Sequence, residues 1–553
     1  MRKSDPCLYR IVRIPKKGRN LPGLSGCDGR AGKRGDPGIG SRVPVEQSED
    51  KRVKKVRNYT LAQYKDKVER LGEKTEESLQ GKGGELIRHL TYNSREVREG
   101  TLFICKGEKF RKEYLEEAIQ KGAVAYISEK VYPMEREVPY ILVRDIRKVM
   151  PVIADMYFGH PAQDMRLLGI GGTKGKTTTS FYVKAILDAY CRDKGKTPCG
   201  ILSSIFNFDG RETKVAHNTT PEAVELQQYL QKGREAGMEY LVMEVSSQAL
   251  KYHRVDTLTF DVGVFLNISE DHISPIEHKD FEDYFSSKKK MFAQTRTAVV
   301  HLETDHLPQV LEAARQAEKL VTISSQREAD YRASHVEKTE TGSRFTVEGP
   351  GGYRDVLTLS MPGLFNVDNA LAAVAVCREL QIPPQYIRKG LETAKVKGRM
   401  EIFRNRERQL VAIVDYAHNK LSFETLFSSM KKEFPDHSIT AVFGCTGGKA
   451  LQRRKELGTV AGRYADLCIL TSDEPDFEDP REIAEEVAGF VKGEGCPYRI
   501  VEDRQEAIRQ AICEADPKTL VIVAGKGHEG SMKIKGVYVD YPSDLEIVEK
   551  YVR

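Results

Sequence analysis

Residues 167–180 read LLGIGGTKGKTTTS, and several of them suit the binding of phosphate. Gly171, Gly172 and Gly175 would let backbone N–H groups approach phosphate oxygens at the start of a helix, where the helix dipole favours an anion. Lys176 could neutralise the terminal phosphates of a nucleotide, and Thr177 could offer its hydroxyl to Mg²⁺. The common G-x-x-x-x-G-K-[ST] spacing is not met: Ile170 stands where its first glycine belongs, and the nearest glycines are Gly169, Gly171 and Gly172. An apolar run precedes the loop and TTTSFYVKAILDAY, with helical periodicity, follows it. A strand before and a helix after favour a nucleotide loop over a plain turn with a surface lysine.

Other residues could complete such a site. HNTTPEAVE (217–225) offers Asn218, Thr219 and Thr220, either as ligand groups or as a helix cap ahead of an early proline. MEVSSQALKYHR (243–254) ends a strand at Glu244, where a phosphate-bound Mg²⁺ would find a carboxylate, although a solvated loop acid reads the same way. Ser246 and Arg254 follow in that stretch. NISEDHISP places Asp271 and His272 at the end of another strand, and YFSSKKKMF carries Lys288, Lys289 and Lys290. Two chemistries fit: nucleotide hydrolysis that drives motion, and carboxylate activation by phosphoryl transfer before attack by an amine. The loop alone does not separate them.

These residues need a scaffold, and 553 of them exceed a single core. Alternating strand and helix patterns indicate an α/β fold with mainly parallel sheets. A small α/β unit ends near Gly159-His160-Pro161. The loop region follows with MEYLVMEV, FDVGVFLNI and TAVVHL as further strands, and then come QLVAIVDYAH, SITAVFGC, DLCILTSD and TLVIVAGKGHEG. The last four are apolar strands with polar or glycine-rich ends, where ligands gather in open α/β sheets. The expected organisation is a basic extension over 1–58, then domains over 59–163, 164–396 and 397–553.

Composition excludes several classes. The net charge of +6 belongs to residues 1–58, whose 16 Lys/Arg against 6 Asp/Glu leave the rest of the chain acidic; no nucleic-acid partner is expected. That extension, with glycine at every third position from Gly23 to Gly38, is expected to be disordered. No run reaches the roughly 18 apolar residues of a membrane span, so no membrane insertion is expected. The N-terminus has no secretory signal and the ten cysteines form no C-x-x-C pair, which points to the cytoplasm.

GTKGKTTT, NTTP, MEVSSQAL, YHRV, NISEDH, YFSSKK, GLFNVDN, GRMEIF, VDYAHNK, FGCTGG, TSDEP and AGKGHE run in the order of the Mur ligase family, over roughly residues 85–553. The chain most resembles the branch that adds the third peptide residue to UDP-N-acetylmuramoyl-L-alanyl-D-glutamate. The resemblance implies a UDP-sugar domain, a central P-loop ATPase domain and a Rossmann-like C-terminal domain for the incoming amino acid. It also implies ATP and Mg²⁺, the muramoyl-dipeptide and a free amino acid as substrates, an acyl-phosphate intermediate, and a monomer. By matching position, Gly172, Thr173, Lys174, Gly175, Lys176, Thr177 and Thr178 resemble the ATP loop. Asn366, Asn369, Arg399, Asp415 and His418 resemble further nucleotide contacts. Thr177, Glu244 and His272 resemble magnesium ligands, and Lys288 the family's carbamylated lysine; Lys176, Lys288, His272 and Glu244 are the implied catalytic set. Ser94 resembles the UDP contact, and Asn218, Thr219, Thr220, Ser246 and Arg254 the contacts to the muramoyl-dipeptide. Asp473, Glu474, Pro475, Asp476, Gly525 and Glu529 resemble positions around the amino acid.

Departures from the family pattern matter. Lys174 replaces the usual Asn, Tyr252 a Gln, Gln248 a His, and Asn419-Lys420 a Thr-Pro, while GGKALQRR lacks an acidic residue after its glycines. Asp473-Glu474-Pro475-Asp476 stands where enzymes for meso-diaminopimelate carry DNPR, whose arginine pairs the distal carboxylate. Asp476 would repel that carboxylate and favour an amine, which points to L-lysine. The rivals are a Mur-like ligase with another acceptor or amino acid, and a non-catalytic ATP-binding regulator.

Overall fold

The computed structural model describes residues 59–553, apart from 108–109, 271–272, 274–276, 340–341, 362, 364 and 449–450. The expected extension 1–58 and His272 therefore lie outside the described residues. Among the described residues no helix is long and apolar enough to cross a membrane.

Three main sheets carry the fold. The first has the strand order Lys74–Ser78, Tyr140–Val143, Ala123–Ser128, Thr101–Ile104, His89–Thr91, and only the first strand runs antiparallel to its neighbour. The third sets Leu410–Asp415, Thr519–Ala524, Ser438–Phe443, Leu467–Leu470 and Tyr498–Ile500 parallel, with Glu401–Asn405 antiparallel at one edge. Every residue of Leu410–Asp415 and Thr519–Ala524 is buried, as expected for parallel strands covered on both faces.

The central sheet positions the phosphate loop. Its parallel middle runs Lys319–Ser324, Thr295–His301, Phe260–Phe265, Arg166–Gly171, Tyr240–Glu244, Gly200–Leu202. In register, Glu244 lies beside Ile170, and Phe265 beside Gly171. The carboxyl ends of three adjacent strands therefore open on the same edge, where open α/β sheets bind ligands. The helix Lys176–Asp193 leaves this edge and packs against Phe365–Glu379, whose run from Asn369 to Cys377 is buried on every side. An all-round apolar helix belongs inside a core, and its alanines allow close approach. One apolar cluster runs from the central sheet through this helix to Ile413, Phe443 and Leu520 of the third sheet.

Candidate active site

The loop after Arg166–Gly171 turns at Gly175, which has φ +81°. A Cβ there would stand 2.3 Å from Asn369 Oδ1, so both the left-handed backbone and the approach of Asn369 require glycine. Asn267 fixes the loop from the next strand. Its carbonyl accepts from Thr173 N at 2.9 Å and its Oδ1 from Lys174 N at 2.8 Å. Lys176 Nζ donates to the carbonyls of Gly172 and Thr173 at 3.0 and 3.1 Å. Lys288, buried, donates to the same Gly172 carbonyl at 2.7 Å and lies over the ring of Tyr284. Two ammonium groups at the N-terminus of a helix make a receptor for polyanions.

Glu244 is 1% exposed, and its Oε1 accepts from Ser204 N at 2.9 Å and lies 3.3 Å from Ser204 Oγ. Ser204 Oγ is in turn 3.1 Å from Thr177 Oγ1. Thr177 and Glu244 thus present a hydroxyl and a carboxylate joined through one serine, hard oxygen donors of the kind Mg²⁺ takes. This donor set fits the ion that the sequence implies.

The peptide-side candidates fall next to Glu244. Thr220 Oγ1 donates to Glu244 O at 2.8 Å and accepts from Ser246 N at 3.0 Å, while Arg254 donates to Thr220 O at 3.1 Å and pairs with Glu222 at 2.6 Å. Glu222 also pairs with Lys106 from the first sheet's region. The helix Ala223–Glu235 has no side-chain cap, so Asn218, Thr219 and Thr220 do not serve the capping alternative. Ser94 stands apart in the first region, its hydroxyl donating to Glu117 at 2.6 Å.

The third sheet closes the site. A cavity of 230 Å³ is lined by Thr173 to Thr178, Ser204, Thr219 and Glu244 from one side, and by Arg399, Tyr416, His418 and Ser422 from the other. A neighbouring cavity of 400 Å³ has Lys174, Gly175, Asn366, Asn369, Arg399 and Asp415 in its wall. Burial pushes the Asp415 carboxyl above the usual carboxylate range, against the pull of Arg399 and of N–H donors from Met400 and Ala417.

Asp473, Glu474 and Glu529 gather around Lys526, which is fully buried and pairs with Glu529 at 2.9 Å and Glu474 at 3.8 Å. Tyr416 also donates to Glu529, at 2.8 Å. Gly525 has φ +117°, and a Cβ there would meet Asp473 Oδ2 at 2.7 Å. Burial raises the Asp473 pKa, opposed by Arg504 and Lys526. Asp476, by contrast, is turned to the hairpin Ser531–Asp540: its carboxylate pairs with Lys533 and accepts from Gly536 N, both at 2.7 Å. Asp476 therefore already has a cationic partner within the chain, which the reading of it as a direct amine receptor did not foresee.

Ser204 belongs to no sequence motif, and Asn267 stands in NISEDH with no pattern that marks it. Arg504 and Asp544, both fully buried, form a two-pronged pair at 2.8 Å that also holds Ser472 O, Ala524 O and Gly527 N. His301, Glu303 and Asp368 meet in the wall of the larger cavity. Burial opposes charge on His301, but Asp368 and Glu303 outweigh it and hold its pKa at about 9.

Comparison with known proteins shows the family and the fold. Residues 170–377 match the Mur ligase middle domain, and residues 398–527 the Mur ligase, glutamate ligase domain. The UDP-N-acetylmuramoyl-L-alanyl-D-glutamate--L-lysine ligase of Enterococcus faecalis is 36% identical over 472 residues, 84% of this chain and 92% of that protein. A solved UDP-N-acetylmuramoyl-L-alanyl-D-glutamate--2,6-diaminopimelate ligase, 24% identical, superposes with a TM-score of 0.61 over 90% of this chain and 99% of its own. The MurF ligase of Thermotoga maritima in complex with ADP, 20% identical, superposes with a TM-score of 0.58 over 84% and 97%.

Proposed function

The chain belongs to the Mur ligase family, and from that premise we propose that it joins a diamino acid, L-lysine first, to the D-Glu carboxylate of UDP-MurNAc-L-Ala-D-Glu, with ATP as phosphoryl donor. The observation that carries this reading is the shared 230 Å³ cavity, where the phosphate loop and Glu244 face Arg399, Tyr416 and His418. A phosphoryl donor and an amine brought by different sheets meet there. On this reading residues 59–163 bind the UDP-sugar through Ser94, residues 164–396 bind ATP, and residues 397–553 bind the amino acid. The free thiols of the described cysteines fit a cytoplasmic enzyme.

Lys176 and the loop N–H groups hold the β- and γ-phosphates while Arg399 bears on them from the third sheet. Asn366, Asn369 and Asp415 orient the nucleoside in the 400 Å³ cavity. Thr219, Thr220, Ser246 and Arg254 hold the peptide so that its side-chain carboxylate faces the γ-phosphate. Thr177 and Glu244, with Lys288 once its amine carries a carbamate, would hold Mg²⁺, which would supply positive charge to offset that of the phosphates. The carboxylate takes the γ-phosphoryl group and ADP leaves. The amine, having lost a proton, then attacks the acyl carbon and inorganic phosphate departs as the amide forms, a reaction promoted mainly by positioning and charge neutralisation. Around Lys526 the carboxylates Asp473, Glu474 and Glu529 outnumber the cations, which suits a distal ammonium.

Phosphate release tests the reading. With UDP-MurNAc-L-Ala-D-Glu, ATP and Mg²⁺, lysine should stimulate release more than ornithine or meso-diaminopimelate. No release with any of the three sinks the proposal, and turnover with meso-diaminopimelate alone overturns its choice of amino acid.

A further inference from the structure

His301, Glu303 and Asp368 have no role in the phosphate or peptide chemistry above, yet they converge. Their donor atoms all lie within 4.8 Å of one another. Nε2 of His301 is 2.8 Å from Glu303 Oε2 and 3.6 Å from Asp368 Oδ1. All three atoms are buried, and none makes a hydrogen bond of acceptable geometry. Together they set one imidazole nitrogen beside two carboxylate oxygens, donor types that ligate a divalent ion.

The atoms behind them are fixed. His301 ends the strand Thr295–His301, is 8% exposed, and gives Nδ1 to Leu266 O at 3.1 Å, which leaves Nε2 as the ligating nitrogen. Glu303 Oε1 accepts from Ser324 Oγ at 2.6 Å and pairs with Arg327 at 3.3 Å, so Oε2 is the oxygen presented. Asp368 stands in the first turn of the helix Phe365–Glu379. A second layer of this kind orients ligands in metal sites.

We propose that His301, Glu303 and Asp368 bind a divalent ion of the zinc class in the wall of the 400 Å³ cavity. One imidazole and two carboxylates suit Zn²⁺ or Co²⁺ better than Mg²⁺, which favours an all-oxygen shell. Tetrahedral ligands about 2 Å from zinc sit roughly 3.3 Å apart, between the 2.8 Å and 3.6 Å that separate Nε2 from the two carboxylate oxygens. All three residues line the cavity, so a fourth coordination position opens towards it. The bound ion replaces the proton on His301 and places a positive charge beside the cavity that Lys174 and Arg399 also line.

The full-length protein, stripped with chelator and dialysed against Zn²⁺ in millimolar Mg²⁺, provides the test, with bound zinc read by atomic emission. The wild type should retain about one ion, as should Glu244→Gln, which alters the magnesium donors instead. His301→Asn and Glu303→Gln should each weaken retention by about tenfold or more. Metal-free melting curves establish that each variant folds, and either folded variant suffices. Zinc absent from the wild type, retained undiminished by both folded variants, or lost from Glu244→Gln overturns the site.

Discussion

The ammonium of Lys288 donates to the carbonyl of Gly172 at 2.7 Å, spanning 116 positions of sequence, and Lys176 donates to the same oxygen at 3.0 Å. Carbamylation of Lys288 replaces one proton of its neutral amine by an anionic carboxylate and leaves one N–H to donate, so it would add an oxygen donor to those of Thr177 and Glu244. Lys288→Ala is expected to lower kcat by about 100-fold or more. Lys288→Arg is expected not to restore it, because a guanidinium keeps its charge and takes no carbamate. Phosphate release measures both, and a ¹³C carbamate signal after incubation with labelled bicarbonate should appear in the wild type and vanish in Lys288→Ala.

Ser204 joins Thr177, in the first turn of the helix Lys176–Asp193, to Glu244 at the end of the strand Tyr240–Glu244, and belongs to neither element. If it orients the carboxylate, Ser204→Ala should raise the Mg²⁺ concentration for half-maximal activity by about 10–100-fold. Saturating Mg²⁺ should then recover most of kcat, whereas Glu244→Ala should stay inactive. Magnesium titrations of phosphate release separate the two; an unchanged requirement in Ser204→Ala would remove the serine from the metal site.

The contrast between Lys176 and Ser204 shows how far the sequence reaches. Glycine spacing and a strand-to-helix change mark the phosphate loop, because the local chain must bend there for any anion to be held. The strands and helices around it follow from apolar periodicity and lie where that pattern puts them. Ser204 and Asn267 gain meaning only from parallel register, which sets Gly200–Leu202 and Phe260–Phe265 close to the loop. His301, Glu303 and Asp368 meet only when a strand end and a distant helix start share one cavity wall. Asp476 was legible as a charge but not in its partner, since Lys533 comes from a hairpin 57 residues away.

Arg504 and Asp544 bury a full ion pair whose guanidinium also holds Ser472 and Ala524. These contacts tie the loops that carry Asp473 and Lys526. Arg504→Met would strand Asp544 in the interior and should cost about 3–5 kcal/mol of stability. Arg504→Met with Asp544→Leu should recover some of that loss by removing the orphaned charge. Urea unfolding of the three proteins decides it; equal losses in the single and double variants would show that the hydrogen bonds to the loops, rather than the pair, dominate.

Asp476 has φ +53°, an unusual backbone for a residue with a side chain, and its carboxylate binds both Lys533 and Gly536 N. Asn tolerates that backbone and can still accept from Gly536, so Asp476→Asn removes little except the charge. Lys533 is then left without its neutralising partner near Glu474, which also attracts it. The local potential shifts towards one that tolerates a distal carboxylate. The ratio of kcat/KM for lysine over meso-diaminopimelate should fall by about tenfold, a change of roughly 1.4 kcal/mol in discrimination. Competition between the two amino acids, with the two peptide products separated by chromatography and counted, reads that ratio directly. An unchanged ratio would confine Asp476 to anchoring the hairpin and leave selectivity to Asp473, Glu474 and Glu529 around Lys526.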